Sequence, residues 1–78
     1  MENKNTLADL GDGEVGIIAS ISGDRSIKQR LSSMGLVKGA KVQVEHSTLF
    51  GDPRTYLIKG YSICMRKLEA QQIQLIEN

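Results

Sequence analysis

The chain has 78 residues, 40% of them hydrophobic, with ten basic and nine acidic side chains and a formal net charge of +1. That length allows one core and no second domain, and a chain so short buries only about 60% of the surface its unfolded form exposes. The near balance of charge provides no field to gather polyanions, and a single cysteine excludes an internal disulfide. No stretch is apolar enough for a secretory leader or a spanning helix, so a soluble cytoplasmic protein is expected. With no Trp and one Phe, the core must be built from Ile, Leu, Val and Met.

Residues 1–5 read as a frayed tail, and 6–78 as one domain. Thr6 to Leu10 suits a single turn with Leu7 and Leu10 packed inward, and Gly11-Asp12-Gly13 is a turn signal. From Glu14 to Ile21 the alternation predicts a strand with Val15, Ile17, Ala19 and Ile21 on one face. Gly16 within it marks a bulge or sharp bend. After Ser22-Gly23-Asp24 a short helix is expected over about 25–34, with Ile27, Leu31 and Met34 on one face. Ser26 with Gln29 matches a capping box, Asp24 is a competing cap, and the sequence does not choose between them. About ten residues are too few for a helix to stand alone, so burial of those three side chains, roughly 1.5–3 kcal/mol each, must hold it.

Gly35 follows the helix at a position where a positive φ is commonly needed, and Gly39 opens a strand from Ala40 to His46. Ser47 to Pro53 is a loop with Leu49 and Phe50 near its tip. Arg54 to Lys59 and Tyr61 to Arg66 form a hairpin about Gly60, Lys67 to Gln72 a turn or short helix, and Ile73 to Ile76 a closing strand. Five short strands at close spacing favour a small barrel over a sandwich, with structural turns at Gly13, Gly35, Gly39 and Gly60.

Reactive groups are sparse. His46 is the only histidine, its neighbour Glu45 points to the other strand face, and Asp9, Asp12 and Glu14 read as solvated carboxylates. His46 is read as a partly buried barrel residue, and Cys64 as a small hydrophobe packed inside. No enzyme is expected, because nucleophile activation needs a base and an orienting group beside it. Tyr56, Tyr61, Arg54 and Lys59 read as part of an amphipathic hairpin with solvated charges and tyrosines covering the barrel, not as a nucleic-acid platform. No phosphate-cradling Gly-x-x-x-x-Gly-Lys-Ser/Thr run is present. The segment Leu49-Phe50-Gly51-Asp52-Pro53 has two readings, a plug folded back on the barrel end or an apolar anchor for another protein. In the second, Arg30 belongs to a polar rim, while Arg66 either braces the next turn through Glu69 or faces the partner.

Taken together, Leu7-Ala8-Asp9-Leu10 with Gly13 and Gly16, Arg30-Leu31-Ser32-Ser33-Met34-Gly35-Leu36 with Gly39, Leu49 with Gly51-Asp52-Pro53, Gly60, and Met65-Arg66-Lys67-Leu68-Glu69-Ala70 with Ile73 resemble the FeoA family. The resemblance runs from Leu7 to Ile76; Thr48, Phe50, Asp12 and Cys64 depart from the usual pattern. It implies a mostly β, SH3-like barrel with one inserted helix. It also implies a non-enzymatic accessory role in ferrous-iron uptake, without a resident cofactor, through contact with the cytoplasmic region of a FeoB-type transporter. Neither nucleic acid nor direct membrane insertion is expected. The similar barrel of DtxR-type repressors suggests the alternative, a divalent-metal-responsive module in which carboxylates and His46 hold Fe²⁺ or Mn²⁺.

Overall fold

The computed structural model describes residues 5–45 and 52–76. A 3-10 turn at Leu7–Asp9 leads into β1 (Val15–Ile21), α1 (Arg25–Ser33), β2 (Lys41–Val44), β3 (Arg54–Ile58), β4 (Tyr61–Met65), α2 (Lys67–Ala70) and β5 (Ile73–Leu75). The strands form one antiparallel sheet in the order β4-β3-β2-β1-β5. β1 changes partner along its length. Val15 to Ile17 pair with Gln43 to Lys41, and Ile18 to Ile21 pair with Leu75 to Ile73 across an irregularity between Ile18 and Ser20. That switch bends the sheet around the core, as a small barrel requires. The outermost strands, β4 and β5, are not paired with each other.

The first half of β1 turns its apolar alternation outward, so the set Val15, Ile17, Ala19 and Ile21 does not share one face as its alternation suggested. Val15 and Ile17 are 44% and 43% exposed, while Ile18 is fully buried. Gly16 explains the inversion: a Cβ there would lie 2.8 Å from Leu75 Cδ1 and 3.2 Å from Leu10 Cδ1. The missing side chain lets Leu75 and Leu10 close over the inner face. The irregularity at Ala19 then resets the phase, and Ile21 packs against the core.

In α1, Asp24 is the N-cap. Its Oδ1 accepts from the Ile27 amide at 3.0 Å, and the Ser26 hydroxyl donates to the same oxygen at 2.9 Å. Leu31 is fully buried, with Ile27 and Met34 packed at the edge of the core, as the periodicity required. The helix ends in a Schellman arrangement. The Leu36 amide bonds to the Leu31 carbonyl and the Gly35 amide to the Ser32 carbonyl, with Gly35 at φ +92°. The β3–β4 hairpin turns through Lys59 and Gly60, both at positive φ, which matches the twist of the flanking strands.

The core draws on every layer: Leu7 and Leu10, Ile18, Leu31 and Leu36, Val42 and Val44, Tyr56 and Ile58, Met65, Ala70, Ile73 and Leu75. Tyr56 is 1% exposed, packed into the core from the hairpin that covers the barrel. Its hydroxyl accepts from Arg54 Nε at 3.2 Å, which removes the penalty of burying that oxygen unpaired. Cys64 departs from expectation and is exposed on β4. It occupies the strand phase opposite Ile63 and Met65, which face inward.

Candidate functional site

Several of the residues singled out from the sequence meet at α2. The Asp52 carboxylate accepts from the Lys67 amide at 2.8 Å, and Glu69 Oε1 accepts from the Arg66 amide at 3.1 Å. The other Glu69 oxygen pairs with the Arg30 guanidinium of α1. The Arg66 backbone amide joins the turn through Glu69, a contact that leaves both roles open to its side chain. Arg30 is well exposed, so its pair with Glu69 is worth no more than about 1 kcal/mol. Asp52 and Pro53 are exposed and joined by a cis peptide bond. Leu49, Phe50 and Gly51, the rest of the proposed anchor, lie outside the described residues, as does His46.

Arg54 is a residue whose importance sequence reasoning missed. It donates from Nη1 to the Leu10 carbonyl at 2.6 Å and from Nη2 to the Leu7 carbonyl at 3.3 Å. The guanidinium also stands 5.3 Å from the centroid of the Tyr56 ring. It ties β3 to the N-terminal turn, a link across more than forty residues that no local pattern could have signalled.

The carboxylates near the first turn are occupied locally. Asp9 accepts from the Asn5 and Thr6 amides at 3.1 and 2.9 Å, and Glu14 accepts from the Gly11 amide at 2.5 Å. Among the described residues, no three His, Cys, Asp or Glu side chains are grouped to hold a metal ion. The Cys64 sulfur lies 3.6 Å from the Thr55 hydroxyl. Gly13, Gly35, Gly39 and Gly60 all adopt positive φ.

A second surface lies on the outer side of the sheet. A groove of about 640 Å³ runs between the turn before β2 and the β3–β4 hairpin, with Val37, Ala40 and Leu57 as its apolar lining and Lys38, Lys41 and Lys59 around it. Sequence alternation concealed this surface. Val15 and Ile17 read as sharing one strand face with Ala19 and Ile21, and the three lysines come from separate turns and strand ends.

Comparison with known proteins gives this architecture a family. A family model described as the FeoA domain matches residues 5–76. A fusion of Fe(2+) transport protein A with the Fe(2+) transporter FeoB from Porphyromonas gingivalis is 28% identical over 69 residues. That match covers 88% of the chain but spans only 8% of the fusion protein's length. The solution structure of a FeoA-like protein from Clostridium acetobutylicum superposes with a TM-score of 0.85 at 25% identity, covering 99% of this chain and 90% of that one. Two likenesses under a quarter identical speak to the fold alone. Zinc-complexed FeoA of Stenotrophomonas maltophilia, described as a procaryotic SH3 domain protein, has a TM-score of 0.79 at 23% identity, covering 91% of this chain and 88% of that one. A manganese-dependent transcriptional repressor complexed with manganese has a TM-score of 0.83 at 22% identity, covering 95% of this chain and 36% of that one. Among the described residues, no helix is long and apolar enough to cross a membrane. With its SH3-like sheet in place and the domain matched over nearly its whole length, the chain belongs to the FeoA family of proteins associated with ferrous-iron transport.

Proposed function

We propose that this protein is a non-enzymatic accessory factor of ferrous-iron uptake that works in the cytoplasm by binding the cytoplasmic region of a FeoB-type transporter. The observation that carries the reading is the Porphyromonas gingivalis fusion, in which the homologous segment and the transporter are one polypeptide. Covalent linkage holds two modules at high effective concentration, and a separate chain reaches the same association only by an interface of its own. An interface of standard size, about 800 Å² on each partner, fits on a domain this small.

The reading needs no bond-making chemistry from the chain. A docked domain alters transport by binding one conformation of the transporter more tightly than another, and the difference in affinity sets the size of the effect. No metal or nucleotide resident in this chain is required. The anchor proposed for this contact is the segment Leu49-Phe50-Gly51-Asp52-Pro53, with Arg30 and Arg66 on the α1–α2 side.

The test is direct binding of the purified chain to the cytoplasmic region of the transporter at physiological salt. Micromolar or tighter binding is expected, and no association at concentrations a hundredfold higher refutes the reading. Phe50→Ala should weaken that binding with the melting temperature unchanged. A loss of several kcal/mol in stability instead places Phe50 in the core and removes it from the interface. Anaerobic calorimetry with Fe²⁺ addresses the metal-responsive alternative, for which stoichiometric micromolar heat is the required result.

A further inference from the structure

We propose that the outer face of β1, β2 and β3 is a docking groove for an extended, acidic segment of a partner protein, seated by an apolar side chain. The proposal rests on reading this chain as a protein-binding module, and it names where binding occurs and what chemistry is recognised.

Register brings the surface together. Val15 lies across from Gln43, and Gln43 from Leu57; Ile17 lies across from Lys41. All stand in the outward phase of their strands, so Val15 and Ile17 form an apolar strip on β1 and Leu57 a second apolar position on β3, with Gln43 and Lys41 of β2 between them. Val37, 40% exposed, joins Leu57 in the lining of the concave groove beneath the hairpin. Exposed apolar side chains set among polar groups mark an interaction site.

Charge decides the occupant. Lys38, Lys41 and Lys59 surround the groove, no acidic residue is among its described lining, and none of the three forms an ion pair involving a described residue. A segment bearing carboxylates beside a Leu- or Ile-sized side chain satisfies both parts of the lining. A second copy of this chain is a poor donor of such a segment. Among the described acidic residues, Asp9, Glu14, Asp24, Glu45, Asp52 and Glu69 are each engaged within their own molecule, and Asp12 has a partner too. A membrane surface is a poor match because the site is concave and has three lysines, fewer than polybasic membrane motifs carry. Single-stranded nucleic acid needs aromatic rings to stack its bases, and the described lining residues include none.

The test uses the full chain, labelled with ¹⁵N, and three synthetic peptides: one alternating Asp or Glu with Leu, a second with Ser in place of Leu, and a third with Lys in place of the acids. The acidic leucine peptide should shift the amides of 37–41, 57–60 and Ile17, and both controls should bind at least tenfold more weakly. Lys41→Glu with Lys59→Glu should lower affinity at least tenfold at an unchanged melting temperature, with Val37→Ser as an independent second variant. Equal binding of the controls, or shifts confined to another face, overturns the proposal. So does self-association through this face, or tighter binding to phosphatidylglycerol vesicles than to the peptide. The transporter's cytoplasmic region serves as a separate probe. If it binds the lysine variant as well as wild type, the groove assignment fails and the transporter reading stands. If it does not bind while the acidic peptide seats in the groove, the transporter reading fails and the groove stands.

Discussion

Gly35→Ala tests the junction between helix and sheet through two separable effects. Gly35 sits at φ +92°, and a Cβ there would lie 2.5 Å from the Tyr61 hydroxyl oxygen. That hydroxyl donates to the Met34 carbonyl, so β4 is fastened to the end of α1 through the space a side chain would take. The left-handed backbone should cost about 1–2 kcal/mol for any residue with a Cβ. Expelling the hydroxyl should cost about 1 kcal/mol more, the net worth of an ordinary hydrogen bond. The sum is about 2–3 kcal/mol, equivalent to roughly 10–20 °C in melting temperature for a domain of this size. Urea denaturation measures it. In a Tyr61→Phe background the hydroxyl is gone, and Gly35→Ala should then lose only the backbone part. The two substitutions should therefore depart from additivity by about 1 kcal/mol. Additivity within about 0.5 kcal/mol would show that the close approach is not real, and a single-variant loss below about 0.5 kcal/mol would refute the backbone argument as well.

Three further outcomes follow from other parts of the fold. Ile18→Ala removes a fully buried side chain where β1 changes partner, and should lower the urea-derived stability by about 2–5 kcal/mol; a loss below about 1 kcal/mol contradicts the inverted strand. Arg54→Met keeps the aliphatic stem but leaves the Leu7 and Leu10 carbonyls without their donor, at a cost of about 1–3 kcal/mol. Hydrogen exchange should then rise first in residues 6–10, and uniform protection would argue against the tie. For Asp24, the Ile27 amide and then the Ser26 hydroxyl hold the carboxyl below its ordinary value of 3.8. Its contribution is therefore fully present above that pH and lost as pH falls through the lower folded-state value. The gap in melting temperature between wild type and Asp24→Ala should be full at neutral pH and close in acid. A gap that widens on acidification would refute the assignment.

The features legible from residue order alone lie within short reach along the chain. The apolar spacing of Ile27, Leu31 and Met34 settles the inner face of α1, and Gly35 forces its stop, because both act over a single turn of backbone. The turn at Gly60 and the strands flanking it were legible for the same reason. Tertiary structure alone decided which way β1 faces. Strict alternation admits two opposite solutions, and the choice fell to Leu10 and Leu75 closing over Gly16, one of them at the far end of the chain. It also decided that Tyr56 is core while Tyr61 caps a helix, and that Arg54 reaches back to the first turn. The candidate surfaces follow the same division. Arg30, Asp52 and Arg66 could be named from local pattern, but their convergence on α2 required the folded chain. The lysine-rimmed groove was invisible beforehand, since its parts become neighbours only when β2 and β3 pair in register and the turn before β2 meets the hairpin.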